Sequence, residues 1–226
     1  MIPLRDENPS RSFPFVNYFL IAANVLVFVY QWTTMAGDPN AIFRFALVPA
    51  EVTSGFDLVD ARSVLTSMFM HAGLAHIGGN MLYLWIFGDN IEDAMGHFRY
   101  LVFYLIGGTV ASAIHVLSSP ESTIPTVGAS GAIGAVLGAY LVLYPRRRVL
   151  TLLFLGYFIR MMMIPAVYLL GFWILMQVFS GLMSLGGPDV GGVAFWAHIG
   201  GFAAGVILVR LFARRRSEAS APPGAW

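Results

Sequence analysis

The 226-residue chain contains no cysteine and no lysine, and only 11% of it is charged. The absence of cysteine excludes disulfides and thiolate chemistry, and leaves the redox compartment open. A soluble domain averages about 25% charged residues. A chain with less than half that share, 58% hydrophobic and with a mean hydropathy of +0.73, is built to meet lipid over much of its surface. The net charge of +1 gives no case for a nucleic-acid partner. There is no HExxH motif and no cysteine set, so neither a metal nor a cofactor is expected.

In place of charge the chain has long apolar runs. Residues 12–37, 63–88, 100–120, 122–145, 161–188 and 190–209 carry no Asp, Glu, Lys or Arg. Each reaches the roughly 20 residues that a membrane helix needs. A seventh run, 149–159, is too short to span and is expected at an interface. The first run is too long for the apolar region of a secretory signal, about 7–15 residues, and reads as a retained membrane helix. The expectation is an all-α integral membrane protein with six crossings, near 14–35, 74–91, 98–117, 130–144, 164–185 and 193–212. Residues 1–13 form a cytoplasmic segment, 14–213 the membrane domain, and 214–226 a polar, Pro-rich tail that reads as disordered.

All thirteen basic residues are arginine, and their distribution orients the bundle. With the N-terminus inside, Arg5, Arg11, Arg99, Arg146, Arg147, Arg148, Arg160, Arg210, Arg214, Arg215 and Arg216 all fall on the inner side. Only Arg44 and Arg62 fall outside, both in the long first loop, about 36–70. The positive-inside rule therefore places both termini in the cytoplasm. The arginine-only, alanine-rich composition and the absence of organelle-targeting features point to a bacterial plasma membrane.

The fourth run is unusual. Pro125 and Gly128 oppose an early helix start, and Pro145 with three arginines ends the helix at the inner face. From Ser130 to Tyr144 a helix is about 22 Å long, against a hydrocarbon core of about 30 Å. This short central helix leaves Ser130 roughly 8 Å below the outer interface. The preceding loop must dip into the membrane, which is tolerated only against protein or a water-filled cavity. Ser130 is read either as a helix N-cap, a role serine favours, or as a nucleophile beside free backbone N–H groups and the positive end of a helix dipole.

Polar side chains inside membrane helices are functional candidates by default. His71, His76 and Asn80 occur in HAGLAHIGGN at the outer end of the second helix, and His76 and Asn80 share a face. His198 sits near the outer end of the sixth helix, about 18 Å from Arg210. Gly131, Ala135 and Gly138 form a close-packing face on the fourth helix, and Gly201 and Gly205 form another on the sixth. If those faces meet, Ser130 and His198 are neighbours, the minimum for base-activated nucleophilic catalysis. His76 and Asn80 are then placed to donate to an oxyanion. No acidic residue lies at comparable depth, so the expectation is a Ser–His dyad with its histidine oriented by packing. His71 reads as a brace for a loop, His115 as structural and His97 as solvated. Asp89, Glu92 and Asp93 read as caps of the second helix, with Arg99 as partner. The pentapeptide AHIGG occurs twice, at 75–79 and 197–201, but its flanks do not match and it reads as chance.

Three motifs occur in order: His71, His76 and Asn80 as HxxxxHxxxN; Gly128, Ser130 and Gly131 as GxSG; and Ala197, His198, Gly201 and Gly205 as AHxxGxxxG. Together, over about 14–213, they resemble the rhomboid intramembrane serine proteases. The resemblance implies a six-helix rhomboid-like bundle, with Ser130 as nucleophile and His198 as general base. It implies an oxyanion site formed by the Ser130 backbone N–H, His76 and Asn80, and no cofactor. Its partners would be transmembrane protein substrates, cut in or beside their membrane segments after small residues, and membrane lipids. The fifth helix and the last outer loop, about 186–192, would gate substrate entry. The chain departs from the family in three places. Gly134 stands where some members stack an aromatic on the histidine, leaving Phe195 and Trp196 as candidate braces. The first loop lacks a Trp-Arg pair, and the segment between Arg146 and Arg160 is long.

Overall fold

In the computed structural model, which describes residues 1–35, 37–38, 40–156, 158–184 and 193–214, each of the six apolar runs carries a helix. The expected last outer loop, 186–192, and all of the tail beyond Arg214 lie outside the described residues. In chain order the helices are α1 (Phe15–Tyr30), α2 (Pro49–Ser54), α3 (Leu58–Thr66), α4 (Leu74–Met95), α5 (His97–Ser118), α6 (Ser130–Leu143), α7 (Ala166–Ser184) and α8 (Phe195–Phe212). The strands are β1 (Ile2–Asp6), β2 (Arg148–Leu155) and β3 (Phe158–Pro165). Among the described residues, four helices are long and apolar enough to cross a membrane: α1 with its π-helical continuation to Met35, α5, α7 and α8. Of the other two, α4 has 22 residues but carries Asp89, Glu92 and Asp93 near its end, and α6 has only 14 residues.

The fold is not all-α. β1, β2 and β3 form an antiparallel sheet in that order, so the segment at 149–159 is mostly strand and the expected N-terminal segment supplies a third strand. The long stretch between Arg146 and Arg160 is the first arm and turn of this hairpin. Helix α7 accordingly starts at Ala166, after the strand, rather than at 164. The strands lack the polar–apolar alternation that would mark a half-buried sheet in sequence. Paired residues on one face, Leu150 with Met163, Leu152 with Met161 and Phe154 with Ile159, are apolar. So are most on the other, and a continuous apolar run carries no period to distinguish strand from helix.

Helix α6 is the centre of the bundle, with residues Gly131 through Tyr140 all buried against α8, α5 and α4. The two glycine faces meet there, and their contact is backbone on backbone. A Cβ at Gly201 would lie 2.0 Å from the Gly131 carbonyl oxygen, and one at Gly205 would lie 2.0 Å from that of Ala135. A Cβ at Gly138 would lie 2.2 Å from the Phe202 carbonyl oxygen. Only residues without side chains allow this approach.

The end of the bundle where α4 finishes is held by a buried carboxylate. Glu92, fully buried, accepts hydrogen bonds from the backbone N–H groups of Val16 at 3.0 Å and Asn17 at 2.7 Å. It thereby caps the N-terminus of α1, where free N–H groups and the helix dipole favour negative charge. Glu92 also contacts His97 Nδ1, and Asp93 accepts from the Ser12 backbone and hydroxyl. The acidic cluster is structural as expected, but its partners are α1, Ser12 and His97 rather than Arg99, and His97 is paired rather than simply solvated.

Two predictions follow from this packing. Gly205→Leu forces a side chain into the α6 backbone and is expected to lower stability by about 1–3 kcal/mol, read by thermal unfolding of the purified protein. Gly171→Leu, where a Cβ meets nothing within 4 Å, should not. The second concerns Asp6, whose carboxylate accepts a 2.6 Å hydrogen bond from the Tyr140 hydroxyl. Burial, only partly offset by that bond, lifts its carboxyl from the ordinary 3.8 to about 6. A carboxyl raised in the folded state contributes stability that is present below the unfolded value and lost as pH rises through the folded one. Asp6→Asn is therefore expected to melt near the wild type at pH 4, to gain on it as pH rises from about 4 to about 6 and to keep a constant lead above that, with no such divergence if Asp6 is unperturbed.

Candidate active site

Ser130 is the first residue of α6, and the cap position before it is Ala129, with no side-chain capping hydrogen bond. The serine hydroxyl instead lies 2.7 Å from His198 Nε2. The N-cap reading of Ser130 is thus not what the structure shows. His198 stands in the first turn of α8, and the glycine contact of α6 with α8 brings together residues 68 positions apart. Ser130 is half-buried.

Neither Phe195 nor Trp196 is the brace of His198. Those two side chains lie against Gly181 of α7. The imidazole is held by two α7 residues that the sequence reading passed over. Gln177 Oε1 is 2.8 Å from His198 Nδ1, and the Trp173 ring lies 5.9 Å from the imidazole, centroid to centroid, at 34°. A strongly polar side chain in an apolar run is itself a signal, and Gln177 is one. Its partner is not readable from the chain, because sequence alone does not show which side of α7 faces α8. The structure also accounts for Gly134. A Cβ there would lie 3.0 Å from the His198 carbonyl oxygen and 3.3 Å from the Phe202 nitrogen, so α8 occupies the place of an aromatic. Stacking on the histidine comes from α7 instead.

His76 and Asn80 stand one turn apart on α4. His76 Nδ1 accepts a long, 3.4 Å hydrogen bond from the Ala72 backbone N–H, which leaves the neutral ring's proton on Nε2. That nitrogen faces Gly128: a Cβ on Gly128 would lie 2.8 Å from His76 Nε2 and 3.5 Å from Ser130 Oγ. Gly128 adopts φ +134, a conformation that side chains disfavour, so only glycine both makes this turn and leaves room for the ring. Asn80 is buried, and its Nδ2 donor has no hydrogen-bond partner among the described residues. His71 is 2% exposed, with its ring 5.1 Å from that of His76. Burial, and secondarily His76, push the His71 imidazole down to about 4, so it is neutral at physiological pH. Its backbone exchanges two hydrogen bonds with the Gln31 side chain.

The loop that delivers Ser130 is fastened from the first loop. Leu47 and Thr126 exchange backbone hydrogen bonds of 3.0 and 2.8 Å, and the Gly128 N–H donates to the Ser67 carbonyl at 2.9 Å. His115 Nε2 meets Thr126 Oγ1 at 2.9 Å, giving the structural histidine of α5 a partner in the same loop.

Residues 60–215 match the profile of the Rhomboid domain. Over 155 residues the chain is 30% identical to Rhomboid-like protein 11, chloroplastic, of Arabidopsis thaliana, covering 66% of this chain and 52% of that protein. Over 141 residues it is 33% identical to the presenilin-associated rhomboid-like protein, mitochondrial, of Homo sapiens, covering 62% and 35%. Over 128 residues it is 34% identical to Rhomboid protease GluP of Bacillus subtilis, covering 57% and 24%. The matched part of the chain spans about half or less of the length of each of these relatives.

Gly128→Ala introduces both backbone strain and a clash with His76, together on the order of 1–3 kcal/mol. The variant is expected to unfold at a lower temperature than wild type. Gly78→Ala, where a Cβ meets nothing within 4 Å, serves as the control that should not.

Proposed function

Because the chain belongs to the rhomboid family of multi-pass integral membrane proteins, we propose that it is a serine endopeptidase cutting membrane-anchored proteins in or beside their transmembrane segments. The 2.7 Å contact between Ser130 Oγ and His198 Nε2 carries this reading. His198 Nε2 takes the hydroxyl proton as Ser130 Oγ adds to the scissile carbonyl carbon. The carbonyl oxygen becomes an oxyanion, held by the Ser130 backbone N–H, His76 Nε2 and Asn80 Nδ2. Such donors stabilise charge that appears only in the transition state. His198 then returns the proton to the departing amine, the C–N bond breaks, and an acyl-serine remains. Water, deprotonated by His198, adds to that ester and releases the second product with Ser130 restored.

Helix length supports the location of this chemistry. At 14 residues α6 is about 21 Å long, less than the roughly 30 Å hydrocarbon core, so its N-terminus stands below the outer interface. A substrate helix reaching that depth must unwind to free a carbonyl for attack, and a poor helix former such as glycine makes unwinding easier. The six helices cross in alternation with both termini cytoplasmic, as the arginine distribution requires, in a bacterial plasma membrane.

The deciding experiment treats the purified protein with a fluorophosphonate that reacts with activated serines. Wild type is expected to be labelled at Ser130, Ser130→Ala not at all, and His198→Ala slower by about 10⁴-fold or more. Asn80→Ala is expected to lower kcat on a transmembrane substrate by about 10²-fold. Labelling that survives Ser130→Ala would refute the dyad. A wild type that binds substrate helices but never labels would make the protein a binder on the same scaffold.

A further inference from the structure

Helix α7 presents Trp173, Gln177 and Gly181 to α8 at four-residue intervals, the spacing of a single helix face. All three meet the first turns of α8. Trp173 packs on the His198 ring and on Phe202, Gln177 reaches His198 Nδ1, and Gly181 lets Ile199, Phe195 and Trp196 approach to within 3.3–3.5 Å of where its Cβ would be. The opposite face of α7 is exposed, with Phe172, Leu175, Phe179 and Leu182 each more than half accessible. The stripe is therefore the side by which α7 is seated, and Gln177 is its polar member.

The amide settles a proton question. For His198 Nε2 to accept the Ser130 proton, the single proton of the neutral ring must sit on Nδ1. Gln177 Oε1 is purely an acceptor, and an acceptor facing Nδ1 stabilises that tautomer. The reverse orientation of the amide would present N–H₂ to Nδ1, drive the proton to Nε2 and leave Ser130 without a base. A neutral amide is also suited to the setting. It avoids burying a carboxylate at membrane depth, where ionised groups are costly.

We propose that Gln177 is the positioning residue of the dyad, holding His198 in the Nδ1-protonated tautomer, and that the seat of α7 on α8 thereby sets whether Ser130 has a base. This rests on the dyad read above. It assigns to α7 a role at the reacting groups: any displacement of α7 outward withdraws Gln177 and uncouples His198.

The test uses full-length protein in nanodiscs. Gln177→Met keeps length and apolar packing but removes the strong acceptor, while Gln177→Glu retains an Oε1 acceptor whether protonated or not. Gln177→Met is expected to lower kcat and fluorophosphonate labelling by about 10- to 100-fold, the usual effect of deleting a partner that orients a working histidine. KM and the melting temperature should stay near wild type, and Gln177→Glu should recover most of the loss. Gly181→Leu, which pushes α7 away without touching Gln177, should show the same defect, and the double variant should add little to either. Nitrogen-15 spectra of the histidine rings supply a readout that needs no activity. His198 Nε2 should appear as the unprotonated nitrogen in wild type and as a mixture in Gln177→Met. An unchanged tautomer in that variant overturns the proposal, as do wild-type kinetics in Gln177→Met or a Gln177→Glu no better than Gln177→Met. Should the wild type fail to label, protease activity is refuted, and the tautomer spectra still decide the role of Gln177.

Discussion

Where α8 crosses α6, little but backbone separates the two helices: Gly201 faces the Gly131 carbonyl and Gly205 faces that of Ala135, each at a distance where no Cβ fits. Lipid gives two apolar helices no hydrophobic reason to associate, so close van der Waals contact of small residues must hold them. That contact fixes the position of α8 along α6 as well as the distance between them. With the axes in this register, the first residue of α6 and the first turn of α8 are side by side, and the 2.7 Å Ser130–His198 contact is a consequence. The same closeness already crowds a Cβ at 134 against the α8 backbone, and the imidazole is flanked by Trp173 of α7.

The handling of polar groups differs between the two ends of the bundle. At the end away from Ser130 a carboxylate is buried outright, because Glu92 finds the N-terminus of α1 and His97 as partners. Removing a charge from water is tolerated when hydrogen bonds and a helix dipole replace the solvent. Around Ser130 the side chains are neutral: imidazole, hydroxyl and amide. The dyad proposed above, with Gln177 as its positioning residue, would dispense with the buried aspartate of soluble triads, and with the desolvation that an ionised group would require.

The irregular segments are as constrained as the helices. The loop before α6 is stitched to the first loop through Leu47, Ser67 and Thr126, and to α5 through His115. Backbone that is neither helix nor sheet must find partners when it leaves water, and the first loop supplies them. Its own short helix α3 is secured by a reciprocal capping box between Asp57 and Asp60. This first loop is therefore part of the scaffold that presents Ser130 and Gly128 rather than a free linker.

Much of this was legible in the chain because some quantities are local. Hydropathy identified the solvent, and the rise per residue from Arg146 and Arg210 put Ser130 and His198 at similar heights. Spacing alone put His76 and Asn80 on one face. Height along an axis can be read from a single helix. Azimuth cannot, since which side of α7 meets α8 depends on how both are packed, and so nothing in the chain marks Gln177 and Trp173 as neighbours of His198. The sheet was hidden for a related reason: β2 and β3 are apolar on both faces, and pairing between distant segments leaves no period to read. The partners of Glu92 were equally out of reach, lying 75 and 76 residues away on α1. Depth followed from covalent geometry acting within one helix, whereas neighbours and orientation were decided only when side chains and bare glycine backbone packed against one another.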